Sequence, residues 1–116
     1  MQSKVFNDVF DEQINLCQSV LVKKADEYAT KDRLHNFKVA AALESTTVRQ
    51  ALAGMMAKHT VSVYDMCQSA GAFPMEMWDE KITDHLNYLF LLKAVVHEEW
   101  TTSNRDQLLF ETNNKI

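Results

Sequence analysis

The stretch EKITDHLNYLFLLKAVV, residues 80–96, decides the fold of this chain. Apolar or ring-bearing residues recur here at spacings of three and four, which predicts a helix with one apolar face. Its members are Trp78, Ile82, His85, Leu89, Leu92 and Val96. The opposite side is polar at Glu80, Thr83, Asp84 and Asn87 and becomes apolar further along. Because buried polar groups need partners, this side is expected to meet another side chain, a metal or a ligand.

Length and composition indicate one helical domain. The 116 residues are 47% hydrophobic and include only two glycines and one proline, too few for a strand-rich fold with many turns. We therefore expect an all-α, antiparallel four-helix bundle-like domain over residues 1–116. Its core is expected over residues 4–98, with residues 99–116 as a short helix or a partly disordered tail. So small a bundle has little thickness, so completion by a homodimer or higher homo-oligomer is expected.

Several partner classes are disfavoured by charge and hydropathy. The formal net charge is -4 with no basic run, which argues against nucleic acid. The longest apolar run, residues 88–92, is far too short to cross a membrane, and the first residues lack the apolar segment of a signal peptide. Cys17 and Cys67 sit in apolar stripes and are interpreted as reduced core thiols. Together these features predict a cytoplasmic protein.

The first two helices are expected at about residues 4–30 and 33–43. Asp32 is placed to cap the start of the second helix. The apolar side of the first helix is predicted to comprise Phe6, Phe10, Cys17, Leu21, Ala25 and Tyr28.

The third and fourth helices have clearer start signals. Thr47 and Gln50 have the spacing of a capping box, and Gly71 suits the left-handed position that follows a helix. Pro74 suits the first turn of the fourth helix, which is expected to end near Glu98.

Two acids on the fourth helix are candidate metal ligands. Glu80 and Asp84 lie one turn apart, with Asn87 a further turn on, and carboxylates at that spacing can hold a hard cation such as Mg²⁺ through oxygen. The alternative interpretation is an exposed helix start, at which the helix dipole favours Glu80.

His59 lies within the apolar stripe of the third helix, flanked by polar residues. Lys58 is a candidate phosphate ligand, and either Ser62 or Asp65 is a candidate to orient it. A lone histidine on an apolar face is more often a core residue, and that alternative stays open.

Residues 23–38, KKADEYATKDRLHNFK, mix charged and aromatic residues. A solvated turn is the ordinary interpretation. Asn36 and Phe37 also suggest a base edge and a stacking surface at a helix start, where anions bind well. Tyr28 and Arg33 join them as candidate nucleotide ligands.

Three motifs together carry a family resemblance. They are K-x-D-E-Y-A-x-x-D-R-L-x-N-F-K (residues 24–38), M-A-K-H-x-V-S-V-Y-D-M (residues 56–66) and E-K-x-x-D-x-x-N-Y-L-x-L-L (residues 80–92). This pattern resembles small phage-encoded proteins of Gram-positive hosts. Those proteins are in turn similar to nucleotide-modification-associated domains and, distantly, to the MazG-like all-α nucleoside triphosphate pyrophosphatases.

The resemblance implies a magnesium site built from acids on facing helices, in dimers or tetramers. Asp84 matches the acid of the last core helix, and Glu27 falls where the first helical acid is expected. Two departures weaken the match. The E-E-x-x-E motif is absent, with Glu44 standing alone, and Lys81 replaces the first acid of E-x-x-D, for which Glu80 would have to compensate.

The leading hypothesis is a phage-type nucleotide-binding protein that acts as a Mg²⁺-dependent nucleoside triphosphate pyrophosphohydrolase. In it Glu27, Glu80 and Asp84 hold the metal, and the nucleotide-binding residues are Tyr28, Arg33, Asn36, Lys58, His59, Asp65 and Asn87. A second hypothesis is a non-catalytic protein that sequesters a nucleotide or cyclic nucleotide against a host defence. A third is a protein–protein inhibitor or adaptor.

Overall fold

The chain forms four helices in a computed structural model that describes residues 1–27 and 32–113, with side chains described for 1–24 and 32–104. They are α1 (Ser3–Glu27), α2 (His35–Glu44), α3 (Val48–Gln68) and α4 (Met75–Asn113). The described residues contain no strand. The predicted all-α, bundle-like fold is confirmed.

Helices α3 and α4 form an antiparallel pair. Arg49 near the start of α3 makes a 2.9 Å ion pair with Glu99, and Thr60, eleven residues on, hydrogen-bonds His85, fourteen residues earlier on α4, at 2.9 Å. The long helix α4 therefore gives α3 a continuous packing surface.

Helix α1 packs on α4 in the same direction as α4. Gln13 Nε2 donates to Thr83 Oγ1 at 2.8 Å. Eight residues further along each helix, Leu21 and Leu91 line one cavity. This pairing differs from a bundle in which successive neighbours alternate in direction.

The core lies where α2, α3 and α4 meet. Leu34, Phe37, Leu52 and Val95 form one buried cluster, and Leu52 is fully shielded from solvent. Burying a leucine or phenylalanine side chain of this kind stabilises a fold by roughly 1.5–3 kcal/mol. This cluster holds α2 against the α3–α4 pair.

The capping box at the start of α3 has both of its reciprocal hydrogen bonds. The Gln50 backbone N–H donates to Thr47 Oγ1 at 3.1 Å, and the Thr47 N–H donates to Gln50 Oε1 at 3.2 Å. The predicted start of α3 is therefore confirmed. Just before it, Ser45 ends α2 in the left-handed region, with φ of 53°.

The prediction of a left-handed Gly71 is wrong. None of the glycines has a positive φ in the described residues, and Gly71 instead donates its N–H to Ser69 Oγ at 3.1 Å. Helix α3 ends because the backbone of Ser69 is extended; the N–H of Ser69 makes the last helical hydrogen bond, to the carbonyl of Asp65.

The prediction that Asp32 caps α2 is wrong, because Asp32 lies two residues before the N-cap position. Leu34 occupies the N-cap position of α2 without a side-chain cap. Asp32 Oδ1 accepts the Leu34 N–H at 2.9 Å, so it orders the turn that leads into the helix.

The predicted end of the fourth helix near Glu98 is also wrong, because α4 continues to Asn113. No glycine or proline follows Pro74 in the sequence, so no residue interrupts the helical backbone. The tail is thus an extension of α4 through Asn113.

The predicted apolar face of α4 is buried in part: Trp78, Ile82, His85 and Leu92 are half-buried, His85 hydrogen-bonds Thr60 of α3, and Leu92 packs against the core. Leu89 and Val96 are exposed, whereas Thr83 and Asn87 are buried.

The mixed side is buried at Thr83 because α1 packs there, as the hydrogen bond from Gln13 to Thr83 shows, whereas α3 covers part of the predicted apolar face. The expectation that polar groups on this side are buried is met by Thr83 and Asn87, whereas Asp84 is half-buried and Glu80 is exposed.

The two cysteines differ in environment. Both are free thiols; Cys17 is buried between α1 and α4, whereas Cys67 is exposed, so its assignment to the core is wrong. Cys67 lies at the end of α3, where the described residues place no helix over it.

Candidate functional site

Asn87 is the most informative side chain on α4. It is 5% exposed, and neither its amide nitrogen nor its amide oxygen has a hydrogen-bond partner in the structure. Thr83, one turn earlier and equally buried, is satisfied by Gln13. Burying an amide without a hydrogen-bond partner costs folding free energy, which makes Asn87 a candidate ligand-binding residue.

All four helices or their immediate flanks contribute to a cavity of about 200 Å³ beside Asn87. Its lining residues are Val20, Leu21, Lys24, Arg33, Phe37, Lys58, His59, Asp84, Asn87, Tyr88 and Leu91. Five of the predicted site residues are among them: Arg33, Lys58, His59, Asp84 and Asn87. Segments that are far apart in the sequence are thus brought around one space.

The lining of the cavity carries more positive than negative charge. Lys24, Arg33 and Lys58 supply three cations, and Asp84 is the one acid among the lining residues. Lys24 and Lys58 are exposed at its edge. In a chain with a formal net charge of -4, this local excess of positive charge favours an anionic ligand.

His59 contributes a neutral imidazole at neutral pH. Burial lowers the pKa of His59 from its ordinary value, the charge of Asp84 opposes this, and the charges of Lys58 and Lys24 lower it further. A neutral ring presents one donor and one acceptor to a ligand.

Aromatic rings form one wall of the cavity. The His59 ring lies 4.7 Å from that of Tyr88, and the Phe37 ring meets Tyr88 edge-on at 6.2 Å. Tyr88 is therefore held between a ring from α2 and one from α3. Such a wall suits a flat, partly apolar group.

The turn before α2 positions Arg33. Its Nη1 donates to the Leu21 carbonyl at 3.0 Å, which ties this turn to α1. Lys38 bridges Asp32 at 2.8 Å and Glu98 at 2.7 Å, which ties the same turn to α4. The bond to Lys38 lowers the pKa of Asp32, and the bonds to Asp32 and Glu98 raise the pKa of Lys38.

Other predicted site residues lie outside this cavity. Glu80 is exposed, with Lys81 at 3.9 Å, and Asp65 is exposed on α3. Asn36 is exposed and lines a separate cavity of about 450 Å³ on which Phe37 and Tyr88 also border. Tyr28 and the side chain of Glu27 lie outside the described residues.

The carboxylates described around the cavity do not fit a divalent cation. Mg²⁺ binding requires converging oxygen ligands, and Asp84 is the one described carboxylate in the lining. Across the described side chains, no three His, Cys, Asp or Glu residues come together as a metal site. No hydrolytic step through a metal follows from this arrangement, and the Mg²⁺ site stays a prediction.

Lys24 is the lining cation that sequence reasoning passed over. It opens the first of the three motifs and lies one turn beyond Val20 and Leu21, which share its cavity. Its place at the start of that motif could have identified Lys24 as a candidate site residue.

Comparison with known proteins finds no matching family model, curated protein or solved structure. The resemblance to phage proteins and MazG-like pyrophosphatases therefore stays a prediction that rests on the three motifs. None of the described helices is long and apolar enough to cross a membrane.

Proposed function

We propose that this chain binds a nucleotide in the cavity beside Asn87 and does so without requiring a metal. The observation that carries the proposal is the buried, unpartnered amide of Asn87 in a cavity whose charged side chains are mostly cationic. The site residues involved are Lys24, Arg33, Lys58, His59, Asn87 and Tyr88.

The amide of Asn87 suits the polar edge of a base or the hydroxyls of a sugar. It offers donors and an acceptor side by side, as nucleobase edges do. Leaving such a group unpaired costs about 1–3 kcal/mol, and a fold retains that cost where a ligand relieves it.

The lysines suit the phosphate. Lys24 and Lys58 are exposed, whereas Asn87 is buried, so a nucleotide would insert its base or sugar and leave its phosphate at the edge. Three cations against one carboxylate leave an excess of two positive charges, which complements a dianionic phosphate.

The size of the cavity agrees with partial insertion. A volume of about 200 Å³ equals that of about seven water molecules and is smaller than the pockets that enclose a whole drug-sized ligand. One ring system fits this space beside Tyr88. The remainder of the nucleotide would extend past Lys24 and Lys58.

The disposition of acids favours binding without cleavage. Glu80 and Asp84 do not share the cavity, and Asp84 is the lone acid of the described lining. This supports the sequestering hypothesis over the Mg²⁺-dependent pyrophosphohydrolase, which needs several converging carboxylates.

Calorimetric titration with nucleoside mono-, di- and triphosphates and cyclic nucleotides, in EDTA and in Mg²⁺, tests the proposal. We expect binding in EDTA and recovery of the ligand intact by chromatography. Asn87→Leu, which keeps the volume and removes the amide, is expected to weaken binding at least tenfold. Glu80→Gln, an exposed residue outside the cavity, is the control and should bind as the parent does.

Two outcomes would contradict the proposal. Nucleotide turnover that requires Mg²⁺ and is lost in Asp84→Ala would instead support the pyrophosphohydrolase. If no nucleotide binds to the parent chain, and the folded Asn87→Leu variant behaves in the same way, the nucleotide proposal is wrong and the adaptor hypothesis remains.

A further inference from the structure

The first three turns of α1 present an uncovered apolar face. Val5, Phe6, Val9 and Phe10 are 48%, 58%, 52% and 54% exposed, respectively. Further along the same helix, Cys17 is buried against α4. We call these four residues the VF face.

Four large apolar side chains lie side by side on the VF face, each about half exposed. Monomeric proteins seldom leave a contiguous apolar patch uncovered, so a partner is expected to cover the VF face.

The VF face is complementary to itself. The segment K-V-F-N-D-V-F-D, residues 4–11, repeats a Val-Phe pair at a spacing of four, which places the four side chains on one side of the helix. When two such helices pack antiparallel about a two-fold axis between Asn7 and Asp8, residue 5 faces residue 10 and residue 6 faces residue 9 of the other copy. Each valine then meets a phenylalanine, which is the alternation of small and large side chains that well-packed interfaces use.

We propose that a second copy of this chain covers the VF face, with the two α1 helices packed antiparallel to form a homodimer. The nucleotide cavity lies towards the other end of α1, from Val20 onward, about 15 Å along the helix from Phe10. The dimer therefore leaves the cavity open, and dimer formation and nucleotide binding can fail independently.

Sedimentation equilibrium of the full chain between 1 and 100 μM tests the dimer. We expect a mass close to twice 13.3 kDa for the parent chain. Phe6→Glu with Phe10→Glu should raise the dimer dissociation constant at least tenfold, because charged side chains would be buried at the interface. Val22→Glu is the matched control: Val22 is 63% exposed on the same helix, on the side away from the VF face, and its variant should remain dimeric.

A swap tests the antiparallel register. Val5→Phe alone and Phe10→Val alone should each weaken the dimer, because they place two large or two small residues opposite one another. The double variant restores one valine facing one phenylalanine and should recover most of the affinity.

A parent chain that is monomeric at 100 μM would overturn the proposal. So would a dimer that tolerates both glutamates while circular dichroism shows a parent-like helical content, because its interface would then lie elsewhere. If the glutamate variant loses its helical content, the swap series decides: equal affinities across the series would equally refute the register.

Discussion

The imidazole of His59 lies over the phenol ring of Tyr88, with ring centroids 4.7 Å apart and planes inclined at 32°. This contact joins α3 to α4 at the wall of the cavity. It also holds His59 where burial lowers its pKa, which gives the protein a measurable pH dependence.

Stability should fall as the pH falls below about 6.5, the ordinary pKa of histidine in an unfolded chain. Because the folded pKa of His59 is lower, the unfolded chain takes up its proton first, and the free energy of unfolding decreases until the folded pKa is passed. Urea unfolding between pH 5 and 8 measures this. His59→Gln should lose this contribution, and an unchanged profile in that variant would contradict the assignment.

Replacing Asp84 by Asn should strengthen the binding of a phosphate-bearing ligand, by about three- to tenfold. Asp84 is the one acid described in the lining, so its charge repels an anion. The same change should lower the pKa of His59 further, because Asp84 raises it. Calorimetry in EDTA and an NMR titration of the imidazole check the two effects. Weaker binding by the Asp84→Asn variant would indicate that the Asp84 carboxylate holds a cation that contacts the ligand.

Asn87→Leu should stabilise the unliganded protein by about 1–3 kcal/mol, because it removes a buried amide without partners. Thr83→Val is the matched control. Thr83 is equally buried but accepts a hydrogen bond from Gln13, so its replacement should destabilise by about 1 kcal/mol. Thermal unfolding distinguishes them. Destabilisation by both variants would mean that Asn87 is satisfied within the fold.

Leu52→Ala should cost about 2–5 kcal/mol, because Leu52 is completely buried in the cluster that joins α2, α3 and α4. Leu43 is 81% exposed on α2, and Leu43→Ala should change stability by less than about 0.5 kcal/mol. Denaturant unfolding with far-UV circular dichroism measures both. Similar losses for the two would contradict the placement of the core.

Local signals in the sequence predicted the helix starts well. The capping box of Thr47 and Gln50 forms between residues three apart, so its formation is largely independent of the rest of the fold. Helix ends were harder. The left-handed position fell to Ser45 and not to Gly71, because Ser69 ended α3 with an extended conformation before Gly71 was reached.

The orientation of α4 could not be predicted from its own sequence. Both of its sides contain apolar residues, and the approach of α1 and α3 decides which of them are buried. That approach places Asn87 inside and leaves Leu89 exposed. A pattern within one helix does not specify where the other helices pack.

The candidate site was predicted in part. Three motifs supplied Arg33, His59 and Asn87, and the fold places all three around one cavity. Glu80 is only one turn from Asp84, yet it is exposed at the edge of the helix. The sequence does not tell which of two neighbouring turns faces a cavity, because that depends on where the other helices pack against α4.

Helix α1 has backbone neighbours in α4 and, within the described residues, in no other helix. The remaining helices form two contiguous contacts, α2 with α3 and α3 with α4, so α1, like α2, is an outer element whose detachment would disturb one other described helix. A ligand that touched Lys24 together with Lys58 and Asn87 would join α1 to both α3 and α4. Ligand binding in the cavity would then slow the exchange of backbone amide hydrogens along α1, including those far from the atoms that the ligand contacts.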